Sequence, residues 1–144
     1  MKLFKFIFEL SKEESTAILS NLSQEKIDFM KKVYFEMDYS EFFDENGFEG
    51  LFCIVNEEIF NTLCKFFNNE KIKFSCTDLS EQVLLGKKIK TDYEENNGWN
   101  QTHIINLINK YYECYATSDS VLDKINECGI ESLTEFDKEV LAKG

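Results

Sequence analysis

At 144 residues the chain is long enough for one domain with a real core. A composition that is 43% hydrophobic, with 14 Phe and 6 Tyr, excludes a chain that stays disordered. A net charge of −11 excludes a duplex nucleic-acid binder, which needs clustered basic residues for phosphates, and it repels anionic membranes while suiting a basic protein partner.

Residues 2–10 alternate, with Phe4, Phe6, Phe8 and Leu10 on one face and Leu3, Lys5, Ile7 and Glu9 on the other. This is the pattern of a half-buried strand that packs a helix layer with its phenyl face. A signal peptide is not expected here, because Lys5 and Glu9 break the apolar run and no small-residue cleavage site follows. Ser11 and Glu14 match the capping box S-x-x-E and predict a helix over 12–21. Ser23 reads as a second N-cap. Ile27, Met30, Val33, Tyr34 and Met37 then mark a longer helix over 24–38, with Phe29 beside the stripe.

Residues 36–50 are unusual. Glu36, Asp38, Glu41, Asp44, Glu45 and Glu49 occur with no basic residue among them, and Tyr39, Phe42, Phe43 and Phe48 are interleaved. Gly47 and Gly50 read as the turn residues that end the segment.

The stretch Leu51–Cys76 organises the chain. Leu51–Val55 is a short apolar strand, Asn56 with Glu57 and Glu58 starts a helix, and Ile59, Phe60, Leu63, Cys64 and Phe67 recur at helical spacing. After a break at Asn68-Asn69, Ile72, Phe74 and Cys76 alternate with Lys71, Lys73 and Ser75. So long a connection rules out a hairpin and predicts a βαβ unit at 51–76, with parallel strands and a right-handed crossover. With the N-terminal strand, the expected fold is α+β: a small, about three-stranded sheet covered by helices.

Glu81, Val83, Leu84 and Leu85 predict a short helix stopped at Gly86. Lys87, Lys88 and Lys90 follow as the one basic cluster, either a solvated rim or counter-charges for the chain's own acids. Residues 92–100 read as a polar loop holding Trp99, and Ile104, Leu107, Ile108, Tyr111 and Tyr115 mark a helix over 101–116. The tail predicts a helical hairpin. Ser118 or Ser120 caps a helix carrying Val121, Leu122 and Ile125, Gly129 is the left-handed C-cap residue, and Ser132 or Thr134 starts a last helix with Phe136, Val140 and Leu141. The expected organisation is an α+β domain over 1–116 with the hairpin 118–144 packed on it.

The run Val121-Leu122-Asp123-Lys124-Ile125, then Gly129 and Ser132-Leu133-Thr134, with Leu141 beyond, resembles a short helical hairpin of unknown function. It recurs at the C-termini of proteins from the Bacteroidetes, including some rhomboid-like membrane proteases. The resemblance spans residues 121–141 and implies a bacterial origin and a docking or packing module. The rhomboid serine motif and membrane helices are absent from this sequence, so protease activity does not carry over.

Chemistry-bearing motifs are scarce. No stretch approaches the about 20 apolar residues of a membrane span. Five cysteines occur without a C-x-x-C, and with His103 as the sole histidine no zinc site has its usual ligand spacing. Cys53, Cys64 and Cys76 fall on apolar faces, where a free thiol acts as a small hydrophobe, and reduced thiols point to the cytoplasm. His103 reads as a helix-start residue without the orienting partner of a catalytic base. Counting back from Gly47 and Gly98 puts Phe42 and Tyr93 where an EF-hand needs its first ligand. No enzyme activity, cofactor or metal is expected. The expected function is an acidic cytosolic protein that binds a basic protein, in the manner of an immunity-type inhibitor of a basic enzyme or toxin. Its partner surface would be Asp38, Tyr39, Glu41, Phe42, Asp44, Glu45 and Glu49, with aromatic anchors and steering carboxylates. The alternative is an adaptor or structural subunit that docks through the C-terminal hairpin. At 36–50 the competing reading is that the rings plug into the core while the acids face water.

Overall fold

A computed structural model describes residues 1–37, 39–93 and 101–144. The expectations for Asp38 and for most of the Trp99 loop lie outside the described residues. In chain order the elements are β1 (Lys2–Phe8), α1 (Lys12–Asn21), α2 (Gln24–Glu36), β2 (Tyr39–Glu45), β3 (Phe48–Val55) and α3 (Glu57–Asn69). Then come β4 (Phe74–Asp78), α4 (Ser80–Leu84), α5 (Gln101–Tyr115), α6 (Ser118–Cys128) and α7 (Glu135–Lys143), with a 3-10 turn at Ile130–Ser132.

The fold is α+β, but the sheet has four strands among the described residues, in the order β2-β3-β1-β4 and antiparallel throughout. The additional strand is β2, within the acidic segment. Its sequence Tyr-Ser-Glu-Phe-Phe-Asp-Glu lacks the clean polar–apolar alternation of a half-buried strand. It is joined to β3 by a two-residue turn at Asn46-Gly47, with φ of 53° and 84°. Positive φ at both positions is the type I′ geometry that suits the twist of a hairpin.

The βαβ expectation needs a second correction. β3 and β4 do run in the same direction, but they do not touch. β1 lies between them, antiparallel to both: Phe6 pairs with Leu51 on one side and with Cys76 on the other. The segment 51–76 is therefore a split β-α-β unit, and β1 through β4 follow the β-α-β-β-α-β ferredoxin-like connectivity. That connectivity hosts many unrelated functions and implies none.

β1 is also not half-buried, because helices cover both faces of the sheet. On the first face, Phe4, Phe6 and Phe8 join Leu51, Cys53 and Val55 against Val33 of α2 and Ile59, Leu63 and Phe67 of α3. Phe6 meets Phe67 edge-on at 5.8 Å, and Phe4 stacks on Phe60 at 4.1 Å. On the second face, Leu3, Phe43, Phe52 and Ile54 meet Val83 of α4 and Ile104, Leu107 and Tyr111 of α5. The unbroken apolar run of β3 follows from this, since a strand buried on both faces has no polar side.

The helix ends are set by side-chain caps. Ser11, Ser23 and Asn56 accept from Glu14, Lys26 and Ile59 amides as their sequences predict. α6 is capped one residue earlier than expected, by Thr117, which forms a reciprocal box with Ser120. Thr134 caps α7, with Asp137 completing the box. Gly129 has a positive φ of 86°, but its ψ of 163° is extended and not left-handed helical.

Gly50 lies opposite Phe43 in the β2–β3 ladder, and the buried Phe43 ring occupies the space a Cβ at Gly50 would need. Gly50→Ala is expected to destabilise the fold by about 1–3 kcal/mol through overpacking, read as a lower denaturant midpoint at unchanged slope.

Candidate functional site

Along β2 the side chains alternate between the faces. Tyr39, Glu41, Phe43 and Glu45 turn toward the α5 side, and Phe42 turns toward the first core. Tyr39 is exposed, with the Lys110 ammonium 5.8 Å from its ring centre. Glu41 is half-buried. Its Oε1 lies 3.9 Å from His103 Nδ1, while its Oε2 is buried and accepts no hydrogen bond from the described residues. Burial pushes the Glu41 carboxyl above its ordinary value, and the His103 imidazole offsets part of that rise.

Glu45 sits between two lysines, 3.5 Å from Lys5 Nζ and 3.1 Å from Lys90 Nζ. Both ammonium groups also lie over the Tyr93 ring, at 5.1 and 5.3 Å. The basic cluster after α4 thus supplies at least one counter-charge to an acid of the chain. Phe43 is buried between Phe52 and Tyr93, at 4.9 and 4.3 Å. Phe42 packs on Tyr34 at 5.8 Å, and Asp44 is half-buried beside it in the strand. On β3, Glu49 accepts a 2.8 Å hydrogen bond from Ser15 Oγ.

The structure therefore gathers Tyr39, Glu41 and Glu45 with Lys5, Lys90, Lys110 and His103 on one side, and sends Phe42 and Glu49 to the other. Glu41, Glu45 and Glu49 are engaged by groups of their own chain. A carboxylate with its cation already in place contributes less to steering a distant partner.

The five cysteines are free. Burial pushes the Cys53 thiol well above its ordinary value and the Cys76 thiol up to about 12, which disfavours the nucleophilic thiolate at both. Both belong to the first-face core, whereas His103 sits in the first turn of α5 against the second, so no Cys–His pair forms between them. Among the described residues, no group of three or more His, Cys, Asp or Glu is placed to hold a metal ion. No helix among them is long and apolar enough to cross a membrane.

A buried polar cluster escapes the sequence reading. Lys124 of α6 donates a 2.6 Å hydrogen bond to Asp137 Oδ2 of α7 and a 3.3 Å one to the Tyr112 hydroxyl of α5. The Tyr112 hydroxyl donates to Asp137 Oδ1, and the Thr134 amide donates to Oδ2 at 3.0 Å. Asp137 is 0% exposed and Lys124 7%. A cleft of about 420 Å³ lies alongside, bounded by residues of α4 through α7. The T-x-x-D spacing of Thr134 and Asp137 signals the helix cap, but no local pattern links Lys124 or Tyr112 to it. With both Asp137 oxygens occupied, the cluster has no free base; it is a lock that fixes α5, α6 and α7 together.

Burial alone would push the Asp137 carboxyl up. The hydrogen bonds from Lys124, Tyr112 and the Thr134 amide outweigh that effect and hold it below its ordinary value of 3.8. A depressed folded value contributes stability above the unfolded value, and that contribution is lost as pH falls through the folded one. Asp137→Asn leaves the Lys124 charge buried without its partner and is expected to cost about 3–5 kcal/mol at neutral pH. The gap to wild type should narrow in acid below about pH 4, as the wild-type carboxyl also protonates. Denaturation of both proteins across that range checks it.

The chain matches no known protein-family model, no curated protein and no solved structure.

Proposed function

We propose that this chain is a non-enzymatic binding protein for a basic protein partner, and that it docks through the exposed face of its C-terminal helical pair. The supporting observation is the contrast between its two acidic regions. The β2–β3 carboxylates Glu41, Glu45 and Glu49 face cations or donors of the same chain. Asp119, Asp123 and Glu127 of α6 and Glu131 of the following turn make no ion pair among the described residues. Two large aliphatics of the same stretch are exposed, Leu122 at 50% and Ile130 at 68%. Helical spacing puts Asp119, Leu122 and Asp123 on the side of α6 opposite the buried Val121 and Lys124. An apolar contact at Leu122 flanked by Asp119 and Asp123, neither of them ion-paired among the described residues, complements a surface that carries lysines or arginines beside an apolar spot. The free thiols support a reducing compartment, the cytoplasm.

A second reading, the immunity-type inhibitor acting through 36–50, draws support from a different place. Phe35 at the end of α2 is 93% exposed, with Glu36 beside it and Tyr39 just beyond. An aromatic so fully in water is a candidate anchor for a basic active-site cleft.

The test is association kinetics with the basic protein that copurifies with the chain. Asp119→Asn, Asp123→Asn and Glu127→Gln together are expected to lower the on-rate about tenfold at low salt, and Leu122→Ala to raise the off-rate. Glu45→Gln with Glu49→Gln should leave the on-rate unchanged. The opposite pattern, with loss confined to Phe35→Ala and the β2 variants, moves the interface to 36–50. A partner that is not basic, or an association indifferent to salt, refutes the proposal.

A further inference from the structure

The first core is not closed. Between α1, α2, α3 and the phenyl face of the sheet lies a cavity of about 470 Å³. Protein interiors hold few voids larger than a water molecule, and this one is the size of a small-molecule site. Its origin is legible in α1, which buries none of its residues. Ile18 and Leu22 reach the cavity but stay half-buried, and Leu19 remains exposed. The far walls are aromatic and aliphatic, with Phe8, Phe42, Phe66 and Met30.

The polar groups are few, and most of them donate. Lys12 and Lys31 line the cavity where it meets solvent, and neither makes an ion pair among the described residues. That is notable in a chain with 27 Asp and Glu. Tyr34 also lines the hollow. Its hydroxyl has no hydrogen-bond partner among the described residues, and a phenol protonated at neutral pH is a donor. Glu49 is the single lining carboxylate, and Ser15 already donates to it. Among the described lining residues two lysines face one carboxylate, the reverse of the balance in the chain as a whole.

We propose that the cavity binds a long-chain fatty acid, with its aliphatic tail against the phenyl and aliphatic walls and its carboxylate at Lys12 and Lys31. An apolar hollow with a basic rim and an unused phenolic donor complements an anionic amphiphile, whereas an ammonium headgroup would meet two like charges. The site is separate from the α6 face and stands whether or not that face docks a protein.

The experiment is displacement of a fluorescent fatty acid from the full chain, with oleate, oleyl alcohol and oleylamine as competitors. Saturable binding is expected, with oleate the strongest competitor. Lys12→Gln with Lys31→Gln should weaken oleate about tenfold and leave oleyl alcohol unchanged, since only the charged headgroup loses its partner. Leu22→Trp, which fills the hollow, should abolish binding of both. Where circular dichroism shows that Leu22→Trp is unfolded, Ile18→Phe takes its place. The proposal is overturned if folded wild type shows no saturable binding, if oleylamine competes as well as oleate, or if the folded cavity-filling variant binds as before.

Discussion

β1 has a neighbour on each edge and a helical layer on each face. That fourfold confinement sets the rest of the molecule. Because β1 ladders with both β3 and β4, the strands joined by α3 are held apart and the unit between them is split. Because Phe4, Phe6 and Phe8 point one way and Leu3 the other, two layers of helix are required. The segments up to β4 supply one layer. The second comes from α4 and α5, and the C-terminal helices are then tied to α5 through Lys124, Asp137 and Tyr112. Burial of a large apolar side chain contributes about 1.5–3 kcal/mol, so Phe6, Phe52 and Leu3 hold the sheet from opposite sides with comparable strength.

Which parts of this were legible in the sequence follows from how local each signal is. α1, α2 and α3 announce themselves through caps, and α2, α3 and α5 through one apolar face at helical spacing, and their observed limits fall within about two residues of the expected ones. Strand partners are a different matter. Nothing in Leu51–Val55 or Lys71–Cys76 states that a strand fifty residues upstream will insert between them. β2 is not legible as a strand because acids and rings are mixed on each of its faces, Glu41 and Glu45 with Phe43 and Asp44 with Phe42, although Asn46-Gly47 carries a hairpin signal of its own. The acids of 36–50 were visible, but their counter-charges were not, since Lys5, Lys90, His103 and Ser15 come from distant segments. Lys124 and Asp137 belong to the same class: thirteen residues apart, they meet because a glycine-led turn folds one helix back on the other.

The charge of the chain is thus not a uniform coat. All sixteen of its Lys and Arg residues are lysines, compact point charges on flexible stems. Several are committed to particular acids or rings: Lys5 and Lys90 to Glu45, Lys26 to Glu70, Lys124 to Asp137. β2 lies at one edge of the sheet, and the charged groups held along it, Glu41, Asp44 and Glu45, hinder pairing of that edge with its own copy.

The shallow seating of α1 has a thermodynamic consequence. A helix of ten residues is marginal in water on its own, and this one draws no support from a fully buried side chain. Its free energy of opening therefore lies well below that of the sheet, where Phe6, Leu51 and Leu63 are sealed from solvent. Residues 12–21 are expected to open more often than the sheet unfolds. The α1 amide protons are expected to exchange with solvent ahead of those of the sheet, and a protease acting on the native protein to cut within α1 before it cuts within β1 or β3.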